Sequence, residues 1–236
     1  MTGGVSRPLG IVGGMSWRST VHYYRTLNLL SEARNGVHMN ADCLIASLSF
    51  GPLLARVEAE GTDAASAVIA GAALGLERAG AGSVMLAAFT AHFAAESLRA
   101  ALAVPFVDAG EALARTCRAR GFRRVGLLGT ARMTGAGHIA ASLRRAGIEV
   151  LAPPAADAAA LDRAIAEDLT LRGATPEAGA ALDRAVAALA RAGADAAALA
   201  CTELPLLLPR PTAPIPLIDG VESHLDLALS LTETTR

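Results

Sequence analysis

Two stretches of this 236-residue chain repeat each other, and only one of them leads to a thiol. Residues 78–81 read Arg-Ala-Gly-Ala and lead through an apolar run to Ala88, and the same four residues at 191–194 lead through a similar run to Cys201. Each end point lies 10 residues after its arginine. Two matched loops facing each other across a cleft could supply one proton-transfer group to each face of a planar carbon centre. Here only the second loop carries a group that titrates.

Cys201 lies where a predicted strand ends, with Thr202 and Glu203 directly after it. We expect a helix to begin at this point. Backbone N–H groups and the positive end of a helix dipole lower the pKa of a nearby thiol, so Cys201 would act as an acid, a base or a nucleophile. A single cysteine after an apolar strand is also found as a packed core residue. The repeat, which places this cysteine at a cleft, favours the catalytic interpretation.

Small polar residues follow several of the predicted strands and are candidates for binding a carboxylate. Thr90 and Thr202 come after the two matched strands, where each could hold one carboxylate oxygen or could cap a helix. Met15 and Ser16 follow a double glycine, whose bare backbone could approach a carboxylate or phosphate, although the spacing fits neither a dinucleotide fingerprint nor a P-loop. Thr130, the second residue of a Gly-Thr pair after the predicted strand 124–128, is another candidate for binding the carboxylate.

The histidines and the remaining cysteines carry weaker signals. His92 and His224 are candidates for acid or base groups, or for structural hydrogen bonding. No His, Asp or Glu pair has metal-ligand spacing, so no metal site is expected. Cys43 and Cys117 lie in apolar patterns without a Cys-X-X-Cys spacing, and we expect both to be core residues.

Composition excludes several classes of function. All 21 basic residues are arginine, so neither an internal lysine Schiff base with pyridoxal phosphate nor a lysine base is available. The net charge of −1 and the scattered arginines argue against a nucleic-acid surface. No apolar stretch reaches the roughly 18 residues of a membrane span, and residues 1–7 show no signal peptide, so we expect a cytoplasmic protein.

Short apolar runs alternate with longer helical patterns, which predicts an α/β fold with mostly parallel sheets. The predicted strands are 9–12, 43–48, 83–88, 104–107, 124–128, 148–151, 196–200 and 215–218. The predicted helices are 20–33, 64–79, 93–102, 111–120, 135–146, 158–171, 176–191 and 221–231. We expect a discontinuous first domain, 1–106 plus 213–236, and a second domain, 107–212. In such sheets, sites form beyond the carboxyl ends of the strands.

Several motifs resemble, in order along nearly the whole chain, those of the aspartate/glutamate racemase family. They are residues 13–20 (GGMSWRST) with Tyr23, Tyr24 and Asn28, Thr90 to His92, 127–130 (LLGT), 147–150 (GIEV), 201–208 (CTELPLLL) and 219–224 (DGVESH). The resemblance implies two α/β domains related by a pseudo-twofold axis, a cleft between them, no cofactor and a homodimer. It also implies two cysteines that deprotonate and reprotonate Cα from opposite faces.

Compared residue by residue, the family's second cysteine falls on Cys201 and its partner threonine on Thr202. The family's first loop reads Cys-Asn-Thr-Xaa-His, and this chain has Ala88 and Phe89 in place of the cysteine and the asparagine. Further departures are Ser49, where an aspartate is common, and Met133-Thr134, which inverts the usual order.

The resulting hypothesis is a cofactor-independent enzyme of the racemase/epimerase superfamily that moves a proton at a carbon next to a carboxylate. Cys201 is its acid/base group, and a small carboxylic acid is its substrate. One alternative is a single-cysteine decarboxylase or isomerase of the arylmalonate decarboxylase type, in which one thiol protonates an enediolate. Others are an impaired small-acid-binding protein and a covalent nucleophile at Cys201.

Overall fold

The structure is a computed structural model that describes residues 7–130 and 137–233. Its strands form two parallel sheets of four strands each in this part of the chain, which confirms the predicted fold class. The strands are β1 (Leu9–Gly13), β2 (Cys43–Ser47), β3 (Ser83–Leu86), β4 (Phe106–Val107), β5 (Arg124–Leu128), β6 (Glu149–Leu151), β7 (Ala196–Leu199) and β8 (Leu217–Asp219). Continuous apolar runs such as β1 and β7 are buried along their length, as parallel strands covered on both faces require.

Helices connect the strands, as the longer amphipathic patterns predict. In chain order they are α1 (Trp17–Asn35), α2 (Phe50–Glu60), α3 (Thr62–Arg78), α4 (Ala95–Ala101), α5 (Ala109–Ala119), α6 (His138–Arg145), α7 (Ala155–Arg163), α8 (Pro176–Arg191) and α9 (Gly220–Glu233). Short 3₁₀ turns occupy Phe89–Ala94 and Leu204–Leu207, and a π-helical segment, Ala164–Leu169, extends α7. The first residues of the helix predicted at 135–146, and Met133-Thr134, lie outside the described residues.

Both sheets have the same strand order, β2-β1-β3-β4 and β6-β5-β7-β8. The chain moves outward in one direction from β1 to β2 and then returns past β1 to β3, and β5, β6 and β7 do the same. At such a reversal the loops after the first and third strands diverge and leave a crevice at the carboxyl end of the sheet. In each sheet, the crevice therefore lies beside the loops that the sequence singled out.

Close packing of helix on sheet depends on small residues at defined points. A Cβ added to Gly126 in β5 would collide with the side chain of Leu189 on α8. A Cβ added to Gly10 in β1 would meet Ala81 at 3.0 Å and Leu76 at 3.2 Å. These glycines let each central strand approach the helix that leads into the third strand.

The chain divides into two compact units, and their limits differ from the predicted domains. The first unit ends at Asp108 and resumes at His224, and the second is Ala109–Ser223. We expected residues 213–236 to complete the first domain, but β8 pairs in parallel with β7 of the second sheet. That prediction was wrong for β8 because an isolated strand gives no sequence signal for the sheet it joins. Most of α9 does belong to the first unit.

None of the helices in the described part of the chain is both long enough and apolar enough to span a bilayer.

Candidate active site

Ala88 and Cys201 occupy equivalent positions at the ends of their sheets. The N–H of Ala87 donates to the carbonyl of Val12 at 2.9 Å, and the N–H of Ala200 donates to the carbonyl of Leu128 at 2.7 Å. Each bond is the last between the third strand and the first strand of its sheet. Ala88 and Cys201 are the next residues along the chain, so the sequence repeat corresponds to a repeat of backbone geometry.

The Cys201 thiol lies against a carboxylate from its own loop. Its Sγ donates to Oε2 of Glu203 at 3.1 Å, and the hydroxyl of Thr202 donates to the same oxygen at 2.7 Å. Only 7% of Cys201 is exposed, and it packs against the apolar core of the second unit, next to Leu128 and Leu204. Glu203 therefore receives hydrogen bonds from both residues that precede it.

This environment raises the pKa of the thiol. Burial is the largest cause that raises the pKa of Cys201 well above its ordinary value, and the negative charge of Glu203 raises it further. The expected helix does not begin at Cys201, because only the short 3₁₀ turn Leu204–Leu207 follows. The prediction of a thiolate promoted by a helix N-terminus was therefore wrong. The hydrogen bond from Sγ directs the thiol proton at the Glu203 carboxylate.

Thr130 and Thr202, the two threonines predicted to bind a carboxylate from the second unit, differ in their partners. Thr202 is buried and donates to Glu203. The hydroxyl oxygen of Thr130, at the end of β5, is buried and has no hydrogen-bond partner within the described structure. Because a buried hydroxyl without a partner is costly, Thr130 is the better candidate for a ligand oxygen.

The loop after β1 in the first unit is held by hydrogen bonds within its own turn. Gly14 donates its N–H to the hydroxyl of Thr20 at 2.8 Å. The Ser16 hydroxyl caps α1 by accepting from the N–H of Ser19 at 3.3 Å. Met15 is buried in the core of the first unit. Its side chain and that of Ser16 therefore have local structural partners, and the predicted carboxylate contact rests on their backbone.

The loop at Ala88 packs against aromatic rings and not against a carboxylate. Phe89 is buried, with its ring centroid 6.3 Å from those of His92 and His224. Nδ1 of buried His92 donates to the carbonyl of Ala88 at 3.1 Å. Phe89 thus belongs to a packed aromatic cluster of the first unit, while Thr90 beside it is exposed.

His224 has a structural role in this cluster. Its Nε2 donates to the carbonyl of Val107 at 2.9 Å, and its Nδ1 accepts from the hydroxyl of Tyr23 at 3.0 Å. Burial and the proximity of His92 lower the pKa of His224 to about 3. Both ring nitrogens make hydrogen bonds and the ring is neutral, so His224 is not suited to exchange a proton near neutral pH.

The other two cysteines have no acidic or basic partner of this kind. Cys117 is fully buried on α5, and burial raises its pKa to about 11. Cys43 is half-buried in β2, and burial raises its pKa as well. No group of three or more His, Cys, Asp or Glu residues suited to a metal ion occurs in the described ranges 7–130 and 137–233.

The sequence matches the family described as Asp/Glu/Hydantoin racemase over residues 12–228. The chain belongs to this family. Its racemase fold thus extends over nearly the entire sequence, which confirms the resemblance that the motifs indicated.

Solved structures of racemases share the fold. A Yersinia pestis protein provisionally named an Asp/Glu racemase is 29% identical, with a TM-score of 0.89 over 96% of this chain and 99% of that one. An aspartate racemase homologue from Pyrococcus horikoshii is 28% identical, with a TM-score of 0.87 and the same coverage. Glutamate racemase from Francisella tularensis, solved with D-glutamate, is 16% identical, covers 97% of this chain and 82% of that one at a TM-score of 0.69, and shows the fold alone.

Sequence reasoning located the thiol but missed its partner. Glu203 entered the sequence analysis only as a residue opening a helix, yet its carboxylate is the group nearest the sulfur that can exchange a proton with it. The signal available was its position two residues after Cys201. A spacing of two does not by itself bring side chains into contact. In a helix the two would point in different directions, and in a strand they would share a face but be separated by the length of two residues. The irregular turn after β7 brings them together.

Proposed function

We propose that this racemase-family chain transfers a proton at a carbon next to a carboxylate of a small acid, with Cys201 as its one active thiol. Glu203 acts as the partner that takes up and returns the thiol proton. Thr130 and the backbone at Met15 and Ser16 bind the carboxylate, with Thr90 and Thr202 beside them. The observation that carries this proposal is the 3.1 Å hydrogen bond from the Cys201 thiol to Glu203.

Cys201 and Glu203 together account for every proton in the proposed step. Passage of the thiol proton to Glu203 leaves a thiolate, which takes the proton from the α-carbon and leaves an enediolate on the substrate. The thiol exchanges this proton with solvent and then returns a solvent proton to the same carbon, and Glu203 returns its own proton to the sulfur. A positioned acid or base of this kind contributes about 10²- to 10⁴-fold in rate.

The loss of a thiol at Ala88 sets the stereochemical expectation. Alanine has no titratable atom, and Phe89 and His92 beside it are packed into the first unit. In the arrangement that the family resemblance implies, a proton would then leave and return on one face. We expect isotope exchange at the α-carbon with retained configuration to exceed inversion.

Exchange in deuterated buffer tests this proposal directly. The protein is incubated in D₂O with a panel of enantiopure amino acids and 2-substituted acids, with NMR following loss of the α-proton and chiral chromatography following inversion. Cys201→Ser should remove the exchange, and Cys43→Ser, which changes a thiol outside the site, should leave it intact. Absence of exchange from every acid by the unmodified protein, or an equal rate with Cys201→Ser, contradicts proton transfer by this thiol.

The decarboxylase or isomerase alternative is favoured by the protonation state of the thiol. A group whose pKa is raised is suited to giving a proton to an enediolate that forms without any base, by loss of CO₂ from a malonate. Incubation with aryl- and alkylmalonates, with release of CO₂ measured, separates this reaction from exchange. Formation of a single enantiomer of the product, which is lost with Cys201→Ser, supports the decarboxylase alternative.

A small-acid-binding role and a covalent role for Cys201 are distinguished by the same variant. The burial of Cys201 is compatible with a packed core thiol. A binding protein should keep its ligand-induced rise in Tm after Cys201→Ser, whereas a covalent catalyst should show a trapped adduct by mass spectrometry. The homodimer implied by the family resemblance also stays a prediction.

A further inference from the structure

Three segments of the second unit meet at the amino end of its sheet, and all three are rich in arginine. They are residues 118–124, 144–149 and 191–195. Each begins in the last turn of a helix, α5, α6 or α8, and leads into β5, β6 or β7. Because β5 pairs with both β6 and β7, the three segments lie side by side. In the linear sequence these arginines are scattered, which is why that pattern argued against a nucleic-acid surface.

The side chain of Arg124 holds the three segments together. Its Nη1 donates to the carbonyl of Gly193 at 2.8 Å, and its Nη2 donates to the carbonyl of Ala192 at 3.1 Å. Its Nε donates to Oε2 of Glu149 at 3.0 Å. Arg124 therefore has a structural role, and the arginines around it share one face of the unit.

The other arginines of these segments are exposed and outnumber the carboxylates. They define the amino-end face, which consists of Arg118, Arg120, Arg123, Arg144, Arg145 and Arg191. The carboxylates of the same segments are Glu149, which binds Arg124, and Asp195. Oδ2 of Asp195 accepts from the N–H groups of Arg123 and Arg124 at 2.7 and 2.8 Å. The face therefore has a positive excess in a chain whose net charge is −1.

The first unit shows that the fold does not require this charge. Its equivalent segments, 7–9, 34–43 and 78–83, carry Arg7, Arg34 and Arg78. Arg34 forms an ion pair with Asp226 at 2.7 Å. An arginine in the last turn of a helix interacts favourably with the helix dipole, as Arg78 does on α3. This effect accounts for one arginine at each helix end, and the amino-end face carries more.

The composition of this face discriminates among anionic partners. None of the large apolar side chains that are exposed in the described part of the chain belongs to the three segments. A protein interface has an apolar or aromatic core, a membrane-surface site inserts apolar side chains, and a single-stranded nucleic acid stacks its bases on aromatic rings. A duplex backbone needs only cations, and a guanidinium group binds phosphate oxygens in pairs.

We propose that the amino-end face binds the phosphate backbone of a double-stranded nucleic acid without reading its sequence. The helices α5 and α6 pack against each other, and packed helices lie about 8–10 Å apart, so their arginines cover a wider area than one small anion. A face of this width can contact several phosphates of a rigid duplex. Such contacts carry no sequence information. This function is separate from proton transfer, because Cys201 follows β7 at the opposite, carboxyl end of the sheet.

The salt dependence of duplex binding tests the proposal. The full chain is titrated into a fluorescently labelled DNA duplex of about 30 base pairs, and anisotropy gives the Kd. If about four to six phosphates are neutralised, the Kd should rise about 10²- to 10³-fold between about 50 and 200 mM salt. Duplexes of different sequence should agree in Kd within about twofold.

Substitutions in the two units provide a matched comparison. A triple variant with Arg120→Gln, Arg145→Gln and Arg191→Gln removes one cation from each segment. It should lower the slope of log Kd against log salt by about 2.7 and raise the Kd at low salt at least about a hundredfold. The control triple variant, with Arg7→Gln, Arg34→Gln and Arg78→Gln, changes the net charge equally and should leave both values unchanged. Far-UV circular dichroism verifies that both variants fold.

Several outcomes would overturn this assignment. Absence of duplex binding at about 50 mM salt, or an equal loss of binding in both triple variants, contradicts a site at the amino-end face. Tighter binding to poly-glutamate than to the duplex would indicate an acidic protein as the partner instead. Binding to phosphatidylglycerol vesicles without binding to the duplex would indicate a membrane surface. None of these results bears on proton transfer by Cys201.

Discussion

At the scale of residues, the chemistry of this protein depends on what surrounds Cys201. The thiol lies against the Glu203 carboxylate in a site that excludes most water, and both conditions favour its protonated form. In the proposed reaction the protonated thiol would donate to a carbanion and would need Glu203 to become a base. Under that proposal Glu203 decides the direction of proton flow, and Thr202 donates a hydrogen bond to its carboxylate.

The substitution Glu203→Gln tests this assignment through the pKa of Cys201. Loss of the negative charge should lower that pKa, so alkylation of Cys201 by iodoacetamide, which needs the thiolate, should rise at a lower pH than in the unmodified protein. The rate is measured by mass spectrometry of the peptide containing Cys201 between pH 6 and 10. Glu58→Gln, an exposed carboxylate on α2, should leave the profile unchanged. A profile that stays in place or moves to higher pH contradicts the role of Glu203.

At the scale of elements, the loops that carry the candidate site are held by tight contacts between neighbouring strand ends. Gly14 has a φ of +86°, and a Cβ there would overlap the carbonyl of Leu48, in the loop after β2. Its N–H is fixed by Thr20 on α1. A side chain at Gly14 would overlap neighbouring atoms, so the backbone of the turn at Gly13 to Ser16 is fixed. A fixed backbone of this kind supports the proposed binding of a carboxylate.

Replacing Gly14 with alanine should be strongly destabilising. The left-handed conformation and the overlap with Leu48 both oppose a side chain, so the free energy of unfolding should fall by about 3 kcal/mol or more. Gly71→Ala on α3 is the control, since nothing lies within 4 Å of the added Cβ, and it should raise that free energy by about 0.5–1 kcal/mol. Urea denaturation followed by circular dichroism measures both. Equal stabilities of the two variants would show that the turn at Gly14 relaxes freely.

At the scale of the whole molecule, the repeat of one strand order in two units places Ala88 and Cys201 at equivalent backbone positions. The two loops have since taken different surroundings. The loop of Cys201 carries a carboxylate and a threonine, and the loop of Ala88 is backed by Phe89 and His92. Under the proposed function, the titratable group therefore comes from the loop of the second unit, while the equivalent loop of the first unit carries none.

Adding a thiol at Ala88 should change the stereochemical outcome of the proposed reaction. Ala88→Cys adds a titratable group at the position equivalent to Cys201, so inversion of an acid that the unmodified protein only exchanges should increase by about 10²-fold or more. Chiral chromatography measures inversion, and NMR in D₂O measures exchange in the same samples. Ala87→Cys, one residue earlier and within the buried end of the first sheet, should show no gain. Inversion that is equally fast without the added thiol would mean that another group already serves the second face.

The family, the parallel α/β class and the position of the single loop thiol could all be predicted from the amino-acid sequence. These follow from apolar periodicity, from the motifs and from the repeat of Arg-Ala-Gly-Ala, all of which are local signals. Only the folded structure shows that the pKa of Cys201 is raised, which hydrogen bonds His92 and His224 make, and which sheet β8 joins. Each of these depends on burial and on partners distant in sequence or brought close by an irregular turn. Local patterns carry no information about such contacts, because desolvation and strand pairing exist only once the chain has packed.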